Sequence, residues 1–385
     1  MTAQMRESDF LVPMSAPDIT EDDVAAVSAV VRSGRLALGP ACAEFEQTLA
    51  GYVGVRHAVA VSSGTAALHL LVRGLGISDG DEVLVPSFTF AASVNAILYE
   101  RAVPVFVDVE PETYNLDPAD LEGKITPRTK AIMAVDVFGH PAPWNELGEI
   151  ASRHGLAVID DACEGLGAKY HGRKLGSFGS GAAFAFYPNK QITAGEGGVI
   201  VTDSDDLAGY ARSARNQGRG DGPWLEHARL GFNYRLDEMS AALVGSQLRR
   251  IDELLRRRAQ VAALYTARLG SNEGMRLPKV MPSATMSWFV YVITLREGID
   301  GAKVLAAMER RRIPARVYFM PIHLQPYISA LGLGGGSLPV TESLVGRTLA
   351  LPFHGNLSER EVDLVASALE ASIEDARTDR PSRSD

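Results

Sequence analysis

The sequence predicts an α/β fold, in which a mainly parallel sheet is covered by helices on both faces. Its N-terminal part contains seven short runs rich in Val, Ile, Phe and Ala, each bounded by turn-forming residues. Because these runs are continuously apolar, they are typical of strands buried on both faces. Helix-like segments at 65–76 and 145–155 lie between strands, as expected for parallel connections. The candidate strands are 57–62, 82–87, 103–109, 131–137, 156–160, 182–187 and 198–203.

The pattern changes after about residue 236 and predicts a smaller C-terminal α+β domain. A long helical pattern covers 236–269, with Gly245 as a candidate interruption and Gly270 as a candidate stop. A strand and two further helices follow, at 287–295, 302–312 and 358–373. We therefore expect an N-terminal arm and large domain over 1–250, a small domain over 251–378, and a disordered polar tail over 379–385.

Composition and charge exclude several classes of protein. The 385 residues carry a net charge of −9, which argues against a nucleic-acid partner because phosphate backbones attract basic faces. The two cysteines predict neither a disulfide framework nor a zinc site, and we expect no metal. No apolar stretch of about 18 residues predicts a membrane span. The N-terminus lacks the basic start and apolar run of a signal peptide, so a cytoplasmic location is expected.

A candidate phosphate site follows the first strand, in SSGTAALHL from Ser62 to Leu70. Helix N-termini present unpaired N–H groups and the positive end of a dipole, which suits a phosphate. Gly64 permits close approach of the backbone, and the Thr65 hydroxyl adds a donor. An ordinary helix cap without a ligand is the alternative.

An acid and a lysine follow two later strands. Asp160 and Asp161 end the strand in VIDDACEGLG, and ligands of open α/β sheets bind at the carboxyl ends of strands. Lys190 follows the strand of FAFYPNK and precedes a cluster of glycines. A lysine held near apolar walls can act as a nucleophilic amine, whereas most lysines lie on the surface.

A phosphate site, an acid and an isolated lysine, each at a strand end, are together what pyridoxal 5'-phosphate (PLP) requires. The phosphate would anchor the cofactor, Asp161 would keep the pyridine nitrogen protonated, and Lys190 would form the Schiff base. No GxGxxG follows the first strand, so a nicotinamide dinucleotide enzyme is disfavoured.

Eight segments between about Pro13 and Ile373 resemble the sugar aminotransferases of the DegT/StrS group. This resemblance implies the aspartate-aminotransferase fold, PLP fold type I, with a large domain on a mainly parallel seven-stranded sheet. The segments are RSGRLALGP, AVSSGTAALHL, VPSFTFAASVNAI, DDACEGLGA, FYPNKQITAGEGG, GFNYRLDEMSAAL, YFMPIHLQPY and LPFHGNLSEREVD.

The resemblance also assigns roles to individual residues. It implies that Lys190 is the Schiff-base lysine and Asp161 the partner of the ring nitrogen. Thr65 and Ala66 would hold the phosphate, beside Gly64. The remaining residues implied are Phe90 stacking on the ring, Glu164 near the ring hydroxyl, Asn233 reaching the phosphate of the neighbouring subunit, and His323 and Tyr318 as substrate contacts.

Three of these assignments have consequences or alternatives. The role of Asn233 implies an obligate homodimer, with the active site at its interface. Phe90 could instead be a core aromatic, and His323 a structural histidine. Many members of the group carry Ser five residues before the lysine, where this chain has Ala185. One phosphate hydrogen bond must then come from elsewhere, with Asn189 as the candidate.

The resemblance implies an aminotransferase that moves nitrogen from glutamate or glutamine, through pyridoxamine phosphate, to a keto-sugar. We expect the acceptor to be a nucleoside-diphosphate-linked 4-keto or 3-keto deoxyhexose, made into an amino sugar. A keto-inositol aminotransferase is an alternative. A related dehydratase has His in place of the lysine, so Lys190 speaks against it. A non-catalytic PLP-binding sensor would be marked by loss of the lysine or the acid, and both are present.

Overall fold

The computed structural model of the chain describes residues 6, 9–220 and 222–378. The expected disordered tail, 379–385, lies outside these residues. The helices are α1 (Glu21–Ser33), α2 (Pro40–Val53), α3 (Gly64–Gly74), α4 (Ala91–Tyr99), α5 (Pro118–Glu122), α6 (Trp144–His154), α7 (Asp205–Arg215), α8 (Glu238–Leu248), α9 (Ile251–Leu269), α10 (Gly301–Arg310), α11 (Pro326–Ala330), α12 (Pro339–Ser343) and α13 (Glu359–Thr378). The strands are β1 (His57–Val61), β2 (Glu82–Pro86), β3 (Val103–Val107), β4 (Thr129–Val135), β5 (Ala157–Asp161), β6 (Lys169–Tyr170), β7 (Arg173–Lys174), β8 (Gly181–Ala185), β9 (Gly198–Thr202), β10 (Met275–Arg276), β11 (Ala284–Thr285), β12 (Tyr291–Leu295), β13 (Arg316–Val317) and β14 (Thr348–Leu351).

A seven-stranded sheet in the order β1-β9-β8-β5-β4-β2-β3 forms the centre of the molecule. All seven candidate strands are confirmed, with ends within two residues of those predicted. Neighbouring strands from β3 through β8 pair in parallel, whereas β9 runs antiparallel to both β1 and β8. The sheet is therefore mainly parallel, as predicted.

Helices cover both faces of this sheet, because successive strand residues contribute to two different cores. In β1, Ala58 and Ala60 join a core with α2, α6 and α8, whereas Val59 and Val61 join a core with α3, α4 and α7. Both kinds of residue are buried, which is why the strand sequences lack polar alternation.

A second, four-stranded antiparallel sheet lies in the C-terminal part, in the order β10-β12-β14-β13. It packs with α9, α10 and α13 around a third apolar core that includes Tyr265, Tyr291 and Leu369. The strand and helix content predicted for this part is thus present. The division at 250/251 stays a prediction.

The helical pattern predicted over 236–269 forms two helices, α8 and α9, and the candidate interruption at Gly245 is wrong. The break falls at Arg249 and Arg250, while Gly245 lies inside α8. Arg250 bonds to Asp18 and Asp23 of the N-terminal segment, contacts that the local sequence does not reveal. Leu254 near the start of α9 packs in the first core, so this helix joins both parts.

The strand predicted over 287–295 begins later, at Tyr291. The preceding residues instead contact the turn that follows β4. The N–H of Ser287 donates to the Gly139 carbonyl (3.2 Å), and that of Phe289 donates to the Phe138 carbonyl (3.3 Å). This departure brings Phe289 to the site described below.

Candidate active site

The candidate site is a cavity of about 480 Å³ at the carboxyl edge of the large sheet. The ends of β5 and β8 meet there with the N-terminus of α3, because parallel strands end at the same edge. Six of the residues predicted to bind the cofactor line it: Gly64, Thr65, Phe90, Asp161, Glu164 and Lys190. Tyr318 also lines the cavity.

Lys190 reaches the cavity from a turn that follows β8. Its N–H donates to the Tyr187 carbonyl (2.9 Å), which sets the turn. The Nζ atom lies 3.7 Å from Oε1 of Glu164 and 3.8 Å from the centre of the Phe289 ring. The side chain is only 13% exposed, so Lys190 is not one of the many surface lysines.

Asp161 is the last residue of β5, and its carboxylate is fixed by two donors. The Ser93 hydroxyl donates to Oδ2 (2.7 Å), and the N–H of Cys163 donates to Oδ1 (3.3 Å). Asp161 is buried. An acid held in this way can face a cationic ring nitrogen in a defined orientation.

Glu164 is buried next to Lys190. Its Oε2 accepts a hydrogen bond from the N–H of Phe138 (2.8 Å). Burial raises the pKa of Glu164, and the attraction of Lys190 and the bond from Phe138 offset this only in part. Glu164 can therefore take up a proton more readily than an exposed glutamate.

The N-terminus of α3 forms one end of the cavity. Ser63 caps the helix, its Oγ accepting from the N–H of Ala66 (3.1 Å). The first N–H groups of a helix, here those of Gly64 and Thr65, have no partner within the helix. Ala66 itself does not line the cavity, and its role at a phosphate stays a prediction.

Two of the predicted site residues at the cavity, Phe90 and Tyr318, are aromatic. Phe90 is 64% exposed although it lies beside the cavity, as a residue that stacks on a bound ring would. This exposure does not fit the alternative of a core aromatic. The Tyr318 side chain faces the cavity, and burial raises its pKa to about 12.

Two predicted residues lie apart from the cavity. Asn233 is exposed and pairs through a backbone bridge with Asn216. His323 is buried, with Nδ1 2.6 Å from the Ser87 hydroxyl and Nε2 3.6 Å from Glu342. Burial lowers the pKa of His323. These contacts favour the structural alternative for His323, and its substrate role stays a prediction.

Among the residues of the cavity region that sequence reasoning missed, Ser93, Cys163 and Phe289 contact Asp161 or Lys190. Ser93, the donor to Asp161, is an ordinary small residue in the first turn of α4. Phe289 belongs to a segment that reads as a strand of the other sheet. Cys163 lies in the segment VIDDACEGLG, between Asp161 and Glu164. Because Cys163 comes two residues after Asp161, the sequence could have indicated that Cys163 lies near the site. No feature of the neighbouring sequence indicates that Phe289 does.

The residues present fit PLP. Gly64 and Thr65 offer unpaired N–H groups to a phosphate, Asp161 offers a carboxylate and Lys190 an amine. The Asn189 side chain also fits a bound ligand, because its Oδ1 is buried and has no hydrogen-bond partner among the described residues. Within residues 6, 9–220 and 222–378, no group of three or more His, Cys, Asp or Glu side chains could hold a metal ion.

The fold is shared with solved aminotransferase structures. S. venezuelae DesV, solved in complex with a ketimine intermediate, is 37% identical, with a TM-score of 0.87 over 92% of this chain and 95% of DesV. A Streptococcus pneumoniae protein solved in its PLP form is 25% identical, with a TM-score of 0.90 over 95% and 99% of the two chains. The fold is therefore that of the PLP-dependent transferases of fold type I.

The sequence matches the family model of the DegT/DnrJ/EryC1/StrS aminotransferases over residues 17–370. GDP-perosamine synthase of Caulobacter vibrioides is 42% identical over 332 residues, which are 85% of this chain and 88% of that enzyme. The chain belongs to the DegT/DnrJ/EryC1/StrS aminotransferase family. It is a PLP-dependent aminotransferase, as the sequence resemblance implied.

Among the helices of the described ranges, none combines the length and the apolar character needed to cross a membrane.

Proposed function

We propose that this enzyme transfers an amino group from glutamate or glutamine to a keto-sugar in amino-sugar biosynthesis. The acceptor in this proposal is a nucleoside-diphosphate-linked 4-keto or 3-keto deoxyhexose. The observation that carries the aminotransfer is the convergence of Lys190, Asp161 and the α3 N-terminus on one cavity. The name of the C. vibrioides relative supports the sugar, because perosamine is an amino sugar made on a nucleotide.

PLP, when bound, supplies the electron sink that lets a carbon next to nitrogen lose a proton. Residues of the chain itself would bind and orient the cofactor and move the proton. Asp161, held by Ser93, would fix the ring nitrogen, and the α3 N-terminus would anchor the phosphate. Lys190 would give way to the amino donor and then move the proton as general base and acid. Phe90 at the cavity would stack on the ring.

A homodimer is part of the proposal. Asn233 lies outside the cavity of its own chain and is exposed, so it is free to reach the phosphate bound by a neighbouring subunit. Each active site would then contain residues of two chains. We also place the reaction in the cytoplasm, where nucleotide sugars and glutamate are available together.

The test separates aminotransfer from its alternatives. The purified yellow enzyme is mixed with glutamate or glutamine, and conversion to the pyridoxamine form is followed by absorbance. A panel of keto-sugar nucleotides and keto-inositols is then offered as acceptors. We expect the amino donor to bleach the yellow form and a keto-sugar nucleotide to restore it. Restoration by a keto-inositol alone would identify the cyclitol alternative, and no bleaching at all would point to a sensor.

Lys190→Arg is the matched variant, because it keeps the charge and removes the reactive amine. We expect this variant to lose the yellow absorbance of the enzyme-bound cofactor and to show no turnover. An unchanged spectrum and rate would refute the assignment of Lys190.

A further inference from the structure

Arg258 on α9 carries a buried guanidinium group whose partners are unusual. The residue is 5% exposed, and within the described chain no carboxylate forms an ion pair with it. Its neighbour on the helix, Arg257, pairs with Asp18 and Glu253 instead. A buried charge without a counter-ion is costly, and burial lowers the pKa of Arg258 to about 10. Such a group calls for a role other than stabilising an ion pair.

Among the described residues, the Arg258 guanidinium donates four hydrogen bonds, all to main-chain carbonyl oxygens, and they join two segments. Nη2 donates to the carbonyl of Lys190 (2.9 Å) and, at 3.4 Å, to that of Asn189. Nη1 donates to the carbonyls of Trp288 (3.2 Å) and Phe289 (3.1 Å). The guanidinium thus bridges the turn that carries Lys190 and the segment that carries Phe289.

The same two segments meet again at the amine of Lys190. The Phe289 ring centre lies 3.8 Å from Nζ, close enough for a cation–π contact with the ammonium. Arg258 therefore holds two backbone segments relative to each other. One carries the Lys190 amine, and the other carries the Phe289 ring that packs against that amine. The planar fork of arginine spreads five donors over three nitrogens and can reach carbonyls of both segments, whereas the three donors of lysine share a single nitrogen atom.

We propose that Arg258 is a positioning residue for Lys190, holding its amine against Phe289 and beside Glu164. This inference rests on the proposed role of Lys190 as the residue that binds the cofactor and moves the proton. A shift of about 1 Å in such a group costs up to about a hundredfold in rate. Arg258 does not touch the cavity and acts only through the two segments that it joins.

The test compares Arg258→Lys with Arg257→Lys, a matched control one residue away on α9. Three quantities are measured: the melting temperature, the apparent dissociation constant for PLP, and kcat and KM of the half-reaction with the amino donor. We expect Arg258→Lys to bind PLP and to lower kcat about 10- to 100-fold, with KM changed less than about twofold. Arg257→Lys should leave kcat unchanged. A folded Arg258→Lys variant with normal kcat would overturn the inference.

Phe289→Leu provides a second variant, in case Arg258→Lys does not fold. It keeps an apolar side chain but removes the ring beside Nζ, so we expect the same fall in kcat with little change in KM. If Arg258→Lys is unfolded and Phe289→Leu has a normal kcat, the inference is overturned as well.

Borohydride reduction and peptide mapping of the unmodified enzyme separate this inference from the proposed function. A pyridoxyl group absent from Lys190 would refute the proposed role of the lysine, whatever the variants show. A pyridoxyl group on Lys190 with normal kcat in folded Arg258→Lys would refute the role of Arg258 alone.

Discussion

Asn189 and Ala185 both line the candidate cavity, and together they predict how the cofactor phosphate is held. Ala185 lines the cavity at the position where the family resemblance implies a serine hydroxyl, and Oδ1 of Asn189 is buried without a hydrogen-bond partner in the described parts of the chain. The Asn189 side chain can turn its amide nitrogen toward a phosphate, since its two ends are alike in shape. We propose that it replaces the missing serine.

We expect Asn189→Ala to weaken PLP binding about 10- to 100-fold, because a hydrogen bond to a charged group contributes about 1.5–3 kcal/mol. Adding Ala185→Ser to this variant should restore much of the affinity. The measurement is the apparent dissociation constant of PLP, from absorbance titration. Normal affinity of Asn189→Ala would show that another group holds the phosphate.

The buried carboxyls of Asp136 and Asp160, behind Asp161, predict a pH dependence of stability. One oxygen of each accepts a backbone N–H, from Ala142 (2.7 Å) and Gly176 (2.9 Å), and the other has no hydrogen-bond partner among the described residues. Burial raises the pKa of Asp136 to about 7. Burial and repulsion from Asp136 raise the pKa of Asp160 well above its usual range.

Because the pKa of Asp136 is higher in the folded protein than its ordinary value of 3.8, folding takes up a proton between about pH 4 and 7. The contribution of this proton uptake to the free energy of unfolding is fully present below about pH 4 and is lost as the pH rises through about 7. It changes little at higher pH. Asp136→Asn imitates the protonated form, so we expect the free energy of unfolding to fall less between pH 5 and 8 than in the unmodified protein. Urea unfolding at several pH values measures it. The exposed helix cap Asp300→Asn is the control, and an equal fall in both variants would contradict the prediction.

At the scale of elements, the N-terminus of α3 must lie very close to β8 for the phosphate site to form. A Cβ atom on Gly64 would lie 2.7 Å from Cβ of Ala185 and 3.0 Å from Sγ of Cys163. The glycine is thus required by packing against neighbouring elements, a requirement that the local sequence only suggests.

We expect Gly64→Ala to displace the first turn of α3 and to weaken PLP binding at least about tenfold, because the helix N–H groups move away from the phosphate. Gly51→Ala in α2 is the control, since a Cβ there meets no atom within 4 Å. This control should bind PLP normally and gain up to about 1 kcal/mol in stability from helix propensity. Affinity titration and thermal melting of both variants check this. Normal PLP affinity of Gly64→Ala would rule out the packing argument.

At the scale of the whole molecule, the proposed dimer makes a prediction about mixed subunits. If Asn233 serves the neighbouring site, a dimer of one Lys190→Ala chain and one Asn233→Ala chain contains one complete site. We expect Asn233→Ala alone to be impaired and an equal mixture, after exchange of subunits, to regain about a quarter of normal activity. Steady-state assays of the mixture and of each variant measure this. A mixture no more active than its parts would place Asn233 at the site of its own chain.

The sequence alone determined the seven strands of the large sheet, since their continuous apolar character reflects burial on both faces. It also determined the chemical types at the strand ends, because Gly64, Asp161 and Lys190 are adjacent to strands that can be recognised locally. These features depend on residues that are close in the chain, so a pattern in the sequence is enough to find them.

Only the tertiary structure decided which distant residues complete the site. Ser93 reaches Asp161 across 68 positions, and Arg258 reaches Lys190 across 68 positions as well. The break between α8 and α9 and the late start of β12 were also fixed by contacts with other parts of the chain. Such contacts depend on how sheets and helices pack in space, and hydrophobic periodicity within one segment carries no record of them.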